Sequence, residues 1–261
     1  VSQYEKLAWF FDIIKKINCL LFFQKILMIR VDFSPQQFKV AIATSVIVFG
    51  FDGENLKVLL GKKSGNPFEG AWIVPSSIVN VDEDITEVAR RLLKKITGTD
   101  SWHLEKLNGF ADLYRNPQGR VVNMAYYCTV RLDSSLEDRL EKEKYFWYNL
   151  NKIPSLAFDH NEILDYARER LKRRVKRRPI GFSLLPKEFT MYNIQRLYEC
   201  ALSKNFDKRN FRRKVLKSNL LIEMNKKTRS SSRARRPSKL YKFDEKKYRT
   251  LSLKGYDFGY Q

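Results

Sequence analysis

Cysteine is scarce: Cys19, Cys128 and Cys200 are the only three in 261 residues. Their wide spacing forms no CxxC pair and no Cys/His cluster, which excludes a disulfide framework and a zinc site. That usage fits a reducing, cytoplasmic setting. A long uncharged apolar run is also missing. Val1 to about Phe33 reads as an apolar amphipathic stretch, with Trp9, Phe10, Ile13, Ile14, Ile17, Leu20 and Leu21 at helical spacing. Asp12, Lys15, Lys16 and Lys25 interrupt it, so no membrane-crossing helix and no membrane partner is expected. No small-residue cleavage site follows it, as a signal peptide requires. Two readings of residues 1–33 stay open: a dimerisation or docking helix, or residues translated upstream of a native start near Met28.

Negative charge is lacking from the last third. Val1 to Ala167 holds 21 Lys/Arg against 21 Asp/Glu, whereas Arg168 to Gln261 holds 29 against 8. The whole formal charge of +21 therefore sits at the carboxy-terminal end. Such a one-sided distribution suits a polyanion, because each neutralised phosphate releases condensed counterions. At 43% hydrophobic and 13% aromatic residues the chain has enough apolar material for folded cores.

The text from Phe38 onward is strand-like. Val40 to Phe51 is rich in β-branched residues, Asp52-Gly53 marks a hairpin, and Leu56 to Leu60 returns. A Gly/Pro-rich loop (Gly65, Pro67, Gly70) leads to Trp72-Ile73-Val74-Pro75. Asp82 or Glu83 is expected to open a helix that Gly98 closes, with Ile85, Val88, Ala89, Leu92, Leu93 and Ile96 on its apolar face. Strands follow around Leu104–Leu113, Arg120–Arg131 and Tyr145–Tyr148. Asp159 with Glu162 three residues on has the pattern of a capping box for a helix running toward Lys176. His160 is then a helix-start residue, not a catalytic one. Pro179 ends that helix and marks a boundary.

Trp72 to Thr99 resembles the Nudix box, in which a glycine loop leads into a helix bearing an Arg-Glu-apolar-x-Glu-Glu run. Glu83, Arg91 and Gly98 stand at box positions. The acids do not: Leu92, Lys95 and Ile96 occupy the three carboxylate positions, and Ser76 and Ser77 replace the loop glycines. Magnesium is a hard cation that takes oxygen ligands. Two apolar side chains and an ammonium cannot hold it, and Glu87 alone reads as a solvated surface acid. The expectation is a domain with no metal, no cofactor and no catalytic residue, and so no enzyme, that keeps a ligand pocket. Candidate pocket residues are Lys62, Lys63, Trp72, Asp112, Arg115 and Asn123. The competing reading is a nucleotide-diphosphate hydrolase with an atypical active site.

Further on, Thr190 is an N-cap for an amphipathic helix over Met191–Leu202, and Asp207 caps a second over Lys208–Lys217. Phe211 and Val215 lie one turn apart and face inward, leaving Lys208, Arg209, Asn210, Arg212, Arg213 and Lys217 to face outward. Two helices joined by a tight turn, the second studded with cations, match a helix-turn-helix whose second helix enters the major groove. Leu220–Met224 and Lys239–Phe243 read as strands flanking a basic loop with Lys226, Lys227, Arg229, Arg233, Arg235 and Arg236. Such a loop serves as a wing that meets phosphate or the minor groove.

The arrangement resembles the Nudix-related transcriptional regulators of bacteria, which include repressors of NAD metabolism and regulators of pentose use. The resemblance rests on Gly109-Phe110-Ala111-Asp112, Arg120-Val121-Val122, Ala157-Phe158-Asp159-His160, Leu184-Leu185-Pro186, Phe189-Thr190 and above all Asp207-Lys208-Arg209-Asn210-Phe211-Arg212-Arg213-Lys214. It runs from about Phe38 to Phe243. It implies an α+β architecture: a Nudix-like α/β/α sandwich with a mixed sheet over residues 34–178, then a winged helix-turn-helix over 179–261. It further implies a homodimer on a palindromic duplex operator and a small-molecule effector, either a sugar or an ADP-ribose-type nucleotide. The changes at Ser76 and Ser77 and the missing acids at Leu92, Lys95 and Ile96 point to a sugar before a nucleotide. A general nucleic-acid binder without sequence preference is the third reading.

Overall fold

The computed structural model describes residues 39–99, 103–132, 134–228 and 237–253. The amino-terminal segment 1–33 and the wing arginines Arg229, Arg233, Arg235 and Arg236 lie outside the described residues. From Ala41 onward the chain packs as one unit.

The first half is organised around strand β1, Ala41–Phe51, where β-branched residues favour the extended backbone. Asp52 folds the chain back by accepting from the backbone N–H groups of Glu54 (2.9 Å) and Asn55 (2.7 Å), with Gly53 at φ 98°. β2, Leu56–Lys62, then pairs antiparallel to β1. Short strands β3 (Trp72–Ile73) and β4 (Ser76–Val79) pair with β2 and β1 respectively. β5 (Leu104–Phe110), β6 (Val121–Thr129) and β7 (Tyr145–Asn149) complete a seven-stranded sheet. β6 runs parallel to β1, so the sheet is mixed.

The period of two along β1 divides the apolar interior. Val46 and Val48 face one layer with Leu59, covered by α1 (Ile85–Thr97) and α2 (Ser134–Lys142) through Ala89, Leu93, Ile96, Leu136 and Leu140. Ile47, Phe49 and Phe51 face the other, covered by α3 (His160–Arg177) through Ile163, Leu164, Ala167 and Leu171. The expected α/β/α sandwich is thereby formed.

Two helix starts differ from expectation. The N-cap of α1 is Asp84, whose carboxylate accepts from the N–H groups of Thr86 and Glu87, not Asp82 or Glu83. Gly98 closes α1 in the left-handed conformation at φ 82°. At α3 the capping box with Glu162 does not form: Asp159 makes no side-chain cap, because its carboxylate is taken by Arg115.

A 3-10 turn over Pro179–Leu184 carries the chain from α3 into the second half. There α4 (Met191–Leu202) starts with a capping box of Thr190 and Asn193, and α5 (Lys208–Lys217) starts on Asp207. β8 (Phe189–Thr190), β9 (Leu221–Lys227) and β10 (Lys239–Phe243) form a small antiparallel sheet, with β10 in the middle. A final helix α6 spans Glu245–Leu253. Phe211 and Val215 are buried as their spacing required, Phe211 meeting Tyr198 edge-on at 5.8 Å.

The core does not break at Pro179. One apolar cluster runs from Ile47 and Phe49 through α3 to Phe182, Leu184, Leu197 and Phe211. Polar contacts join the halves as well. Thr129 Oγ1 and Ser183 Oγ lie 2.7 Å apart. The hairpin residue Glu54 accepts from Tyr192 Oη at 2.8 Å, and its carbonyl accepts from Arg196 at 3.2 Å.

Candidate effector cleft and nucleic-acid interface

A cavity of about 370 Å³ opens beside the amino-terminal end of β1, within the usual size range of small-molecule sites. Its walls come from distant parts of the sequence: Ser45 on β1, Lys62 and Lys63 at the end of β2, Ser76 and Ser77 on β4, Arg115 from the loop before β6, Asn123 on β6, and His160 at the start of α3. Three lining residues are cationic and none is a carboxylate. A larger cleft of about 810 Å³ adjoins it, with Arg115 and Phe158 shared between the two and Asp112 on its wall.

Four of the six sequence candidates, Lys62, Lys63, Arg115 and Asn123, therefore meet in one cavity. Asp112 reaches only the neighbouring cleft, where its carboxylate accepts from Tyr114 N–H at 2.9 Å. Trp72 lines neither. It packs edge-on against Tyr148 at 4.8 Å and carries the Lys62 ammonium 3.7 Å above its ring, so it positions Lys62. The same ammonium donates to the Gly70 carbonyl at 2.9 Å. Lys63 Nζ donates to the carbonyls of Ser64 (2.6 Å) and Gly65 (3.2 Å).

The floor is polar and buried. Asn123 is 1% exposed; its Oδ1 accepts from Ser45 Oγ at 3.0 Å, and its Nδ2 has no hydrogen-bond partner among the described residues. His160 is 3% exposed, and its Nδ1 accepts from the Val74 N–H at 3.3 Å. Burial pushes its pKa down to about 4, Arg115 acts in the same direction, and Asp159 opposes both. A neutral imidazole held by a backbone donor is a structural residue, as its place at a helix start implied.

The box helix stands apart from this cavity. Glu83 and Arg91 form their ion pair, and Glu83 also accepts from Asn80 N–H at 3.0 Å, holding its carboxyl below the ordinary carboxylate value. The three positions that require acids are otherwise engaged. Leu92 packs against the core, Lys95 Nζ lies 3.6 Å from Glu143 on the surface, and Ile96 is fully buried. Glu87 is exposed beside Arg90 at 3.6 Å. Among the described residues no group of three or more His, Cys, Asp or Glu could hold a metal ion.

In the second half, α5 exposes Lys208, Arg209, Asn210, Arg212, Arg213 and Lys217. Their surroundings differ. Arg212 Nη2 donates to Tyr241 Oη at 3.4 Å and Arg213 Nη2 to Asn210 Oδ1 at 2.9 Å. Lys226 is exposed on β9, and Lys227 ends that strand. Sequence reasoning missed Ser45, the serines 76 and 77 as cavity wall, and Glu54 as a bridge between the halves. No local pattern marks these, since each acts through a partner far away in sequence.

Known proteins place both halves. The model of the NUDIX domain matches residues 39–167, and that of the NrtR DNA-binding winged helix domain matches residues 181–243. The ADPR responsive transcriptional repressor NtrR of Acinetobacter baylyi is 29% identical over 248 residues, 89% of this chain and 94% of that protein. The solved structure of Shewanella oneidensis NrtR complexed with a 27mer DNA is similar, with a TM-score of 0.66 at 26% identity over 77% of this chain and 93% of that one. An ADP-ribose pyrophosphatase of Methanocaldococcus jannaschii is 28% identical over 134 residues, 51% of this chain and 79% of that protein. Among the described residues no helix is long and apolar enough to cross a membrane. With a NUDIX domain followed by an NrtR-type winged helix, the chain belongs to the Nudix-related transcriptional regulators.

Proposed function

We propose that this chain is a cytoplasmic transcriptional regulator that binds a palindromic operator as a homodimer and senses an ADP-ribose-type nucleotide without hydrolysing it. The observation that carries the effector assignment is a cavity lined by Lys62, Lys63 and the Asp159-paired Arg115 and by no carboxylate, adjoining a second cleft lined by Asp112, Asp159 and Glu162. A nucleotide with its phosphates at Lys62 and Lys63 and an uncharged end in the adjoining cleft suits that two-part shape better than the sugar favoured by Ser76, Ser77 and the missing acids. The Acinetobacter baylyi relative, named for its response to ADPR, supports the same choice.

The operator is assigned to the cations of α5 and of the wing, including Arg229, Arg233, Arg235 and Arg236. The loss of acids at Leu92, Lys95 and Ile96 supports sensing without turnover. The division at Pro179 is kept as the boundary between the sensing and DNA-binding halves. Isothermal titration of the full chain with ADP-ribose, ribose and arabinose tests the effector. Saturable binding of ADP-ribose alone is the expected result; binding of a free sugar alone, or magnesium-dependent hydrolysis of ADP-ribose, would overturn it.

A further inference from the structure

Resting on that reading, the structure assigns Asn123 as the residue that reads the effector: its Nδ2–H donates to an oxygen or nitrogen acceptor on the bound nucleotide, and Ser45 fixes the orientation of the amide. Both side chains are 1% exposed and lie on neighbouring parallel strands, β1 and β6. Ser45 Oγ donates to Asn123 Oδ1 at 3.0 Å, which turns the amide nitrogen away from the serine. The nitrogen then has no partner among the described residues, although Asn123 lines the cavity.

Burying a donor without a partner is costly, and native proteins satisfy nearly all such groups. The adjacent residue shows the usual solution. Thr44, equally buried, donates its hydroxyl to the Met124 carbonyl at 3.1 Å. Asn123 breaks the rule at the wall of a cavity, where a ligand can supply the acceptor. Departures from local consistency of this kind are found at functional or strained sites, and the cavity wall favours the first. The division of labour follows from charge. Lys62 and Lys63 attract the phosphates at long range, whereas a buried neutral amide discriminates by geometry. A site built to make a hydrogen bond rejects analogues that leave it unmade.

The test uses the full chain, isothermal titration and thermal unfolding, with ADP-ribose, AMP and ribose 5-phosphate as probes. Asn123→Leu replaces the amide by an apolar group of similar size. It is expected to weaken ADP-ribose binding by about tenfold or more; combined with Ser45→Ala, so that the serine hydroxyl is not left without its acceptor, it is expected to melt at or above the parent temperature, because a stranded donor is removed. Asn123→Asp keeps an acceptor for Ser45 and removes the N–H, and is expected to lose binding similarly. A loss shared by ADP-ribose and just one of the smaller probes also supports the assignment and places the acceptor on that half. Parent-like binding by either variant overturns it. A clear fall in the melting temperature of the Ser45→Ala/Asn123→Leu double variant overturns it too, because the amide would then be serving the fold. If the parent binds AMP or ribose 5-phosphate but not ADP-ribose, the effector reading fails while loss of that ligand in the variants still upholds Asn123. If the parent binds none of the probes, the melting comparison decides alone.

Discussion

Arg115 and Asp159 meet as a two-pronged pair, Nε to Oδ2 at 2.7 Å and Nη2 to Oδ1 at 2.6 Å, with side chains only 5% and 12% exposed. The pair joins the loop before β6 to the start of α3, across 44 residues of sequence. Breaking a buried pair strands the remaining charge, which costs about 3–5 kcal/mol, whereas replacing both members by apolar groups is far milder. Arg115→Met and Asp159→Leu should each lower the free energy of urea unfolding by about that much. The double variant should recover a large part of the loss, giving a strong coupling in the double-mutant cycle. Additive losses would show that the two side chains act independently.

His160 makes stability depend on pH. Its pKa is about 4 in the fold against an ordinary 6.5, so between those values the unfolded chain takes up a proton that the native state refuses. Stability is therefore full above pH 6.5 and is lost as the pH falls toward 4, by about 3 kcal/mol in total. Urea midpoints measured across that window should decline with acidification. In His160→Asn, which keeps an acceptor for Val74 N–H but does not titrate, this part of the slope should vanish. An unchanged slope would assign the acid sensitivity to other groups.

The box helix predicts silence with magnesium. ADP-ribose, nucleoside triphosphates and dinucleotide polyphosphates incubated with the pure chain should give no products above a blank by chromatography. Restoring acids is not a simple reversal. Ile96, on α1, is fully buried in the apolar layer that α1 and α2 form on the sheet, so Ile96→Glu forces a carboxylate into that layer. That change should cost several kcal/mol, on the order of a buried unpaired charge, and the purified variant should unfold at markedly lower urea.

The three arginines of α5, equivalent in the sequence, are not equivalent in the structure. Arg212 leans on Tyr241 and Arg213 on Asn210, whereas Arg209, near the start of the helix, is exposed with no hydrogen bond or ion pair given among the described residues. Arg209 is thus best placed to fork onto a guanine edge, a contact worth about 1–3 kcal/mol of discrimination. Arg209→Ala should weaken operator binding by that amount with little effect on random duplex. Lys226→Ala, on the wing strand, should weaken both and flatten the salt dependence by roughly one unit of slope. Equal losses on both duplexes for Arg209→Ala would transfer base reading to other residues.

Much of this was legible beforehand because it is local. A β-branched run marked β1, an apolar return at Leu56–Leu60 marked β2, the turn at Asp52-Gly53 joined them, and the spacing of Phe211 and Val215 oriented α5. Three consecutive acids, Asp82, Glu83 and Asp84, could each have capped α1; only the extended backbone at Asp84 decides between them. Helix α2 escaped notice because its apolar positions, Leu136 and Leu140, are few and its remaining residues are polar. The capping box at Asp159 was a fair local inference defeated by a guanidinium from another loop. Asn123 was singled out as a polar candidate, but its vacant donor depends on a strand pairing with Ser45 that no sequence spacing reveals.

Helix α3 has 18 residues, hence a length of about 27 Å. Its first residue belongs to the cavity wall, and its last turn leads through a single 3-10 turn to the winged helix. A rigid rod of that length magnifies what happens at its pivot: a tilt of about 5° near His160 displaces the other end by about 2 Å, given the rise per residue of an α-helix. In the proposed homodimer, two such displacements would alter the span between the two copies of α5 by an amount comparable to the separation of successive base pairs. A shift at the cavity that carries α3 with it would thus be large on the scale at which DNA half-sites are measured.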